Sequence, residues 1–204
     1  MSQEVIPVPE GDGEADCRAI AEIAGHYEAI LRLIGEDPAR EGLLKTPMRA
    51  ARALWYATSG GRGEKPEEIM RKALFSHEGS RMVIVRDIEF YSLCEHHILP
   101  FFGTVSVGYI PDGRIVGLSK LARVVNAVAR RLQVQERLTA EICRAVENAL
   151  HPLGVMVVCR ASHLCMQMRG VEKQQAATVS NHYSGLFETD SSLREEFYRL
   201  ISDK

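Results

Sequence analysis

No run of about 18 or more apolar residues occurs in this 204-residue sequence, so a membrane-spanning helix is not expected. The N-terminus has no basic stretch followed by an apolar one, so no secretory leader is expected and the expected location is cytoplasmic. Positive charge is not in excess: 25 Lys and Arg stand against 27 Asp and Glu, a net charge of -2. A bulk basic field for nucleic acid is therefore missing, and an anionic ligand would need a local cluster of Arg and Lys. Cysteine is sparse. Its positions, 17, 94, 143, 159 and 165, are odd in number and lack the spacing of a disulfide framework. In a reducing compartment they read as free thiols or metal ligands. The Gly-rich Lys-Ser/Thr loop of phosphate-binding enzymes is absent, as are the Gly-x-Gly-x-x-Gly strand turn and the Pro-Cys-x-x-Cys string of zinc base deaminases.

The composition that remains, 46% hydrophobic and 25% charged, can build a core without staples. Residues 1–16 carry five acids and no base, together with two Pro and two Gly, and read as a disordered acidic tail. From 17 to 76 the apolar period is helical. Asp16 is placed to cap a helix bearing Ile20, Ile23, Ala24, Tyr27, Ile30, Leu31 and Ile34, which Gly35 stops. Thr46-Pro47 opens a second helix, with Arg49 and Arg52 three apart, and Pro66 a third that runs to about Leu74.

From residue 77 onward the period falls to two. Strands are expected over Arg81–Ser92 and Gly103–Ile110, with a short return strand at Arg114–Val116 after the Pro111-Asp112-Gly113 turn. Two helices follow. One, capped by Ser119, carries Leu121, Val124, Val125, Val128 and Leu132; the other carries Leu138, Ile142, Ala145, Val146 and Ala149. A long strand over Val155–Gln167, an antiparallel partner over Ala176–Tyr183 and a last helix from Ser191 complete the pattern. The reading is an α+β domain, 77–204, with two central helices between strand pairs, preceded by an N-terminal helical region.

Chemistry concentrates in Cys94-Glu95-His96-His97. A Cys and a His at this spacing can close on one cation. In an extended Val155–Gln167 strand, His163 and Cys165 share a face about 7 Å apart. If that strand passes the 94–97 loop, Cys165 completes a Cys94, His97, Cys165 set. Two thiolates and an imidazole suit Zn2+, and three protein ligands leave the fourth position open, as catalytic sites do. Zinc lowers the pKa of bound water to about 7. His96 and His163 would flank the ion with intrinsic pKa values suited to proton transfer near neutrality. Two blander readings stand beside this one. The thiols can be small apolar side chains, and His96 or His163 can close a four-ligand structural shell.

Cys94-Glu95-His96-His97, Pro100-Phe101, Gly103, Tyr109-Ile110-Pro111, Gly117-Leu118-Ser119-Lys120-Leu121-Ala122-Arg123, Gln133-Val134-Gln135-Glu136-Arg137-Leu138-Thr139 and His163-Leu164-Cys165-Met166-Gln167-Met168-Arg169-Gly170 occur in this order. Over about residues 18 to 201 the chain resembles the GTP cyclohydrolase I family. The resemblance implies a T-fold (tunnelling fold) antiparallel sheet with two central helices. It also implies a toroidal homodecamer of two pentamers with active sites between subunits, and GTP and water as substrates. The products would be formate and 7,8-dihydroneopterin triphosphate, at the entry to tetrahydrofolate or tetrahydrobiopterin synthesis.

Residue by residue, the resemblance makes Cys94, His97 and Cys165 the zinc ligands. It makes His163 the acid that protonates the purine imidazole nitrogen and His96 a second proton-transfer group, with Ser119 assisting later proton shifts. Glu136 matches the carboxylate that pairs with the guanine edge, with Gln135 beside it. Ser119, Lys120, Arg123 and Arg169 match triphosphate and ribose contacts. Arg49 matches a further phosphate-binding Arg, and Arg52 stands where some relatives carry a phosphate-binding Lys. A pyruvoyl-type pterin synthase would use three His on zinc, and a nitrile reductase would use a Cys nucleophile without metal. The Cys94, His97, Cys165 set opposes both. Glu95 is left with the role of orienting a neighbouring imidazole.

Overall fold

The structure, a computed structural model, describes residues 13–202. The expected acidic tail lies mostly outside them. The first helix, α1, nevertheless begins at Glu14, inside the stretch read as tail, and runs to Leu33. Its N-cap is Gly13, so Asp16 falls in the first turn, where a carboxylate still favours the positive end of the helix dipole. Gly35 stops the helix as expected. Its φ of 88° is a left-handed conformation that a side chain would oppose, and it lets the Glu36 N–H reach the Leu31 carbonyl at 2.9 Å.

The chain divides into two compact units, Met1–Ala57 and Thr58–Lys204. In the first, α1 packs on α2 (Thr46–Ala57) through Ile20, Ala24 and Ala51, with Ile23, Tyr27 and Trp55 around them. The sequence places the end of the helical region at residue 76, whereas the division falls after Ala57. The reason is packing: Ile69 and Met70 of α3 (Pro66–Arg71) are buried in the core of the second unit. Residues beyond α3 do not continue it. Leu74–Ser76 forms a short strand, β1.

The second unit is built on a five-stranded sheet. Its main strands are β2 (Val83–Cys94), β3 (Pro100–Ile110), β6 (Gly154–His163) and β7 (Thr178–Gly185). β2, β3, β6 and β7 pair antiparallel in that order, and β5 (Leu132–Gln133) adds to β2 in parallel. The expected return strand, β4 (Arg114–Val116), does not lie back on β3, because β2 and β6 already occupy both of its edges. It pairs with β1 instead.

Helices α4 (Leu118–Ala129) and α5 (Gln135–Leu150) cover one sheet face. Leu121, Val124, Val125 and Val128 of α4 meet Leu138, Ile142, Ala145 and Val146 of α5 over Val155, Val157, Cys159 and Ala161 of β6. Full burial of each large side chain here contributes about 1.5–3 kcal/mol. The alternate residues Met156 and Val158 face the other way, into a second cluster with Phe187 of α7 (Leu186–Thr189) and Phe197 of α8 (Ser191–Ser202). Both faces of β6 are thus covered, and Arg160 is its one exposed residue.

Two further boundaries differ from expectation. The N-cap of α4 is Gly117, not Ser119, which sits in the first turn. The strand expected over Val155–Gln167 ends at His163, and Leu164–Gln167 coils into a helical turn, α6. His163 pairs with Phe101, and the next residue of β3 is Pro100, which has no N–H to offer the ladder. Gly103 of β3 is held so close to β6 that an added Cβ would meet the Arg160 carbonyl oxygen at 2.0 Å. Among the described residues no helix is long and apolar enough to cross a membrane.

Candidate metal centre and active site

Strands β2 and β6 end at one corner of the sheet, where α6 begins. Cys94 is the last residue of β2. Its N–H donates to the Leu99 carbonyl at 2.8 Å, and its own carbonyl accepts from the N–H groups of His97 at 3.3 Å and Ile98 at 2.8 Å. These bonds curl residues 94–99 into a tight turn. Ile98 holds it closed with a φ of 55°, a conformation costly for a β-branched residue. The turn places the His97 Nδ1 3.8 Å from the Cys94 Sγ. Cys165 enters from α6, not from an extended strand, so the expected shared face with His163 does not exist. The helical turn performs the same service, and one ligand atom each from Cys94, His97 and Cys165 lies within 4.8 Å of the others.

The donor set fits a tetrahedral thiophilic cation. Zinc–sulfur and zinc–nitrogen bonds of about 2.3 and 2.0–2.1 Å give tetrahedral edges of roughly 3.5–3.8 Å. The observed sulfur–nitrogen edge needs almost no adjustment. The two thiols also press on each other. Burial, and next the neighbouring Cys94, raises the pKa of Cys165, while Arg169 acts in the opposite direction. A bound dication relieves that repulsion. His96 Nδ1 comes within 3.9 Å of the Cys94 Sγ, and its ring lies edge-on to that of His97, but it does not join the three-atom group.

His163 stands beside this group as the residue preceding α6, and its side chain does not cap the helix. Its ring stacks on Phe101 with centroids 4.6 Å apart and planes 4° from parallel. Its Nε2 lies 2.8 Å from the Gln135 Oε1. The Gln135 amide can face only one way, because its Nε2 donates to the carbonyls of Cys159 and Thr178, both at 3.1 Å. The oxygen is left for His163, so the imidazole carries its proton on Nε2 and Nδ1 is the ring atom open to a ligand. Burial lowers the pKa of His163, and the nearby Glu136 carboxylate opposes that shift. Glu136 is exposed in the first turn of α5, beside the same corner.

The expected substrate contacts distribute unevenly. Gln135, expected beside Glu136 on the guanine edge, is 2% exposed with both ends of its amide engaged inside the chain. Arg169 follows α6 and is close enough to influence Cys165. Ser119, Lys120 and Arg123 occupy the first two turns of α4. The metal-group side of α4 is its other end, where Gln133 docks on the Val128 carbonyl and pairs with Cys94, roughly 15 Å along the helix from Ser119. Arg49 and Arg52 lie exposed on α2 in the first unit. Glu95, expected to orient an imidazole, pairs instead with Arg137. The guanidinium lowers its pKa, chiefly through that hydrogen bond. Sequence reasoning missed Phe101, Gln133 and Arg137. All three stand within the strings that carry the family resemblance, which was the signal for them.

Fold and site together define an α+β protein in which two thiols and one imidazole could hold a cation, with the His96 and His163 rings close by in the chain. The sequence model of GTP cyclohydrolase I matches residues 23–202. The chain is 56% identical over 183 residues to the GTP cyclohydrolase 1 of Porphyromonas gingivalis, covering 90% of this chain and 94% of that one. To the protein of that name from Chlorobium chlorochromatii it is 59% identical over 172 residues, 84% of this chain and 77% of the relative. To that from Bacteroides fragilis it is 52% identical over 186 residues, 91% and 95% of the two chains. Among solved structures it is similar to the archaeosine synthase QueF-Like in its apo form, at TM-score 0.41 and 21% identity, over 51% of this chain and 93% of that one. The chain belongs to the GTP cyclohydrolase I family of enzymes, and its α+β unit is a T-fold.

Proposed function

We propose that this chain opens the imidazole ring of GTP by zinc-dependent hydrolysis, releases formate and rearranges the remainder to 7,8-dihydroneopterin triphosphate. The observation that carries the proposal is the Cys94, His97, Cys165 group with His163 held beside it in one tautomer. Zinc in that group would polarise a bound water and bring its ionisation near neutral pH. The chain's own residues do the rest. His163 would act here as the imidazolium: with a second proton taken up on Nδ1, the nitrogen facing away from Gln135, it gives that proton to the purine imidazole nitrogen as C8 is attacked and returns to the neutral Nε2–H form held on the Gln135 oxygen. His96, exposed beside Cys94, serves the later proton transfers of formamide hydrolysis, and Ser119 those of the ribose rearrangement.

Guanine presents two N–H donors on one edge, and the exposed Glu136 carboxylate accepts both. A site built for such a pair discriminates strongly against purines that lack it. The triphosphate is held by Ser119, Lys120, Arg123, Arg169, Arg49 and Arg52, with the start of α4, which no side chain caps, adding to the attraction. In one chain, Ser119, Lys120 and Arg123 lie at the end of α4 opposite the metal group. That placement supports a homodecamer of two pentamers with sites completed between subunits. The product places the reaction at the start of tetrahydrofolate or tetrahydrobiopterin synthesis, in the cytoplasm. The test is to incubate zinc-loaded protein with GTP and measure both formate and the ultraviolet spectrum of a dihydropterin. Zinc bound with neither product formed would remove the proposal.

A further inference from the structure

Glu95 lies between two members of the metal group in sequence and close enough to His96 for its charge to be felt, yet its carboxylate meets a guanidinium. It pairs with the Arg137 guanidinium in the first turns of α5. Arg137 does not serve Glu95 alone. Its Nε donates to the Gln133 Oε1 at 2.8 Å, and the same terminal nitrogen that meets Glu95 also donates to the Leu132 carbonyl at 3.2 Å. Gln133 is fully buried, and its Nε2 donates to the Val128 carbonyl at 3.2 Å and the Glu141 carboxylate at 2.9 Å. The Glu95 N–H in turn donates to the Gln133 carbonyl at 3.0 Å. The turn that carries Cys94 and His97 is thus tied to residues 128–141 through its backbone and through one guanidinium. The same stretch carries Gln135, which holds His163.

An exposed ion pair by itself contributes little to stability, about 0–1 kcal/mol. Arg137 differs in geometry. A planar fork engages a carboxylate, an amide oxygen and a backbone carbonyl on two separate segments, which a lysine cannot do. Ligand atoms must be held to within about 0.5 Å to bind a cation well. The turn closes on itself through three backbone hydrogen bonds but carries Ile98 in a strained conformation, a cost that a hold from residues 128–141 helps to offset.

We propose that Arg137 and Glu95 are positioning residues that keep Cys94 and His97 in ligating geometry, so that cation affinity depends on the pair. This rests on the reading of Cys94, His97 and Cys165 as a metal centre. The experiment measures zinc affinity of the full chain by competition with a chromogenic chelator, together with melting of the metal-free protein. The variants are Arg137→Gln, Arg137→Lys and Glu95→Gln. Loss of a direct partner of a metal ligand costs about 10–100-fold in affinity; Arg137 acts one residue removed, through Glu95, so a loss at the lower end of that range, about 10-fold, is expected for Arg137→Gln. Arg137→Lys, which keeps the ion pair but not the fork, should fall between it and the parent. Metal-free melting should move by only a few degrees. Zinc affinities of Arg137→Gln and Glu95→Gln within about twofold of the parent would overturn the proposal. If Arg137→Gln fails to fold, Glu95→Gln, an exposed isosteric change, decides alone: a drop supports the pair and parental affinity overturns it. A parent that binds no zinc would overturn the metal centre itself, whereas variants that bind as well as a zinc-binding parent overturn only this proposal.

Discussion

Replacing Gln135 with leucine removes three hydrogen bonds at one stroke and separates two accounts of that residue. The carbonyls of Cys159 and Thr178 lose their donor, and the His163 Nε2–H loses its acceptor. At about 1 kcal/mol net for each bond, the folded state loses roughly 3 kcal/mol, a little less once the leucine's own burial is counted. The kinetic effect runs through His163. A well-placed general acid is worth about 10²–10⁴ in rate. The ring stays stacked on Phe101, so its plane survives while its tautomer and rotation are released. The expected outcome is therefore a kcat for formate release lowered by roughly 10–100-fold, with KM for GTP within about threefold of the parent. Gln135→Glu returns an acceptor to His163 but loses both donations to carbonyls, so it should recover part of kcat while melting no higher than Gln135→Leu. Steady-state kinetics and thermal melts on the two variants suffice. A raised KM with unchanged kcat would show that the Gln135 side chain touches GTP. An unchanged kcat and KM would show that His163 needs no such hold.

Two other outcomes follow from the same geometry. Cys165→Ser should lose bound zinc and turnover together, because it removes one of two thiolates from a three-ligand group, whereas His163→Ala should keep zinc and lose ring opening; metal analysis beside the formate assay checks both. At alkaline pH the buried thiols of Cys143 and Cys159 should weaken the fold. Burial pushes each from 9.0 up to about 12, so the unfolded chain releases its protons first and stability falls as pH rises above 9. The loss is about 1.4 kcal/mol for each thiol at pH 10, and Cys159→Ala should flatten that part of the pH–melting curve. An unchanged slope would show that the thiol is not so shielded.

Most helices and strands were legible in the sequence because their periods are local. The 3.6-residue stripe of Leu121, Val124, Val125 and Val128 and the alternation along β6 reflect burial on one face or on two. What failed to read were features that need a second segment. β5 is two residues long and exists only because Cys94 lies beside Gln133. β4 pairs with β1, a strand hidden in what looked like the end of a helix. The break at His163 depends on Pro100 in the adjacent strand. Cys165 reached Cys94 and His97 by a route the sequence did not suggest: a helical turn, not the extended strand used to place it, brings the three together.

Residue chemistry alone determined what this site can contain. Thiols and imidazoles of suitable spacing are present, the carboxylate and cationic side chains that GTP requires are available, and disulfides, membrane helices and a basic nucleic-acid face are not expected. Those properties belong to side chains one at a time. Only the tertiary structure decided how the side chains are held, because a hydrogen bond between distant segments leaves no trace in either one. Gln135 became the hold on His163, and Glu95 turned to Arg137 rather than to an imidazole. The two ends of α4 divide the metal group from Ser119, Lys120 and Arg123 for the same physical reason. A rigid helix keeps its ends apart, whatever the sequence brings near in order.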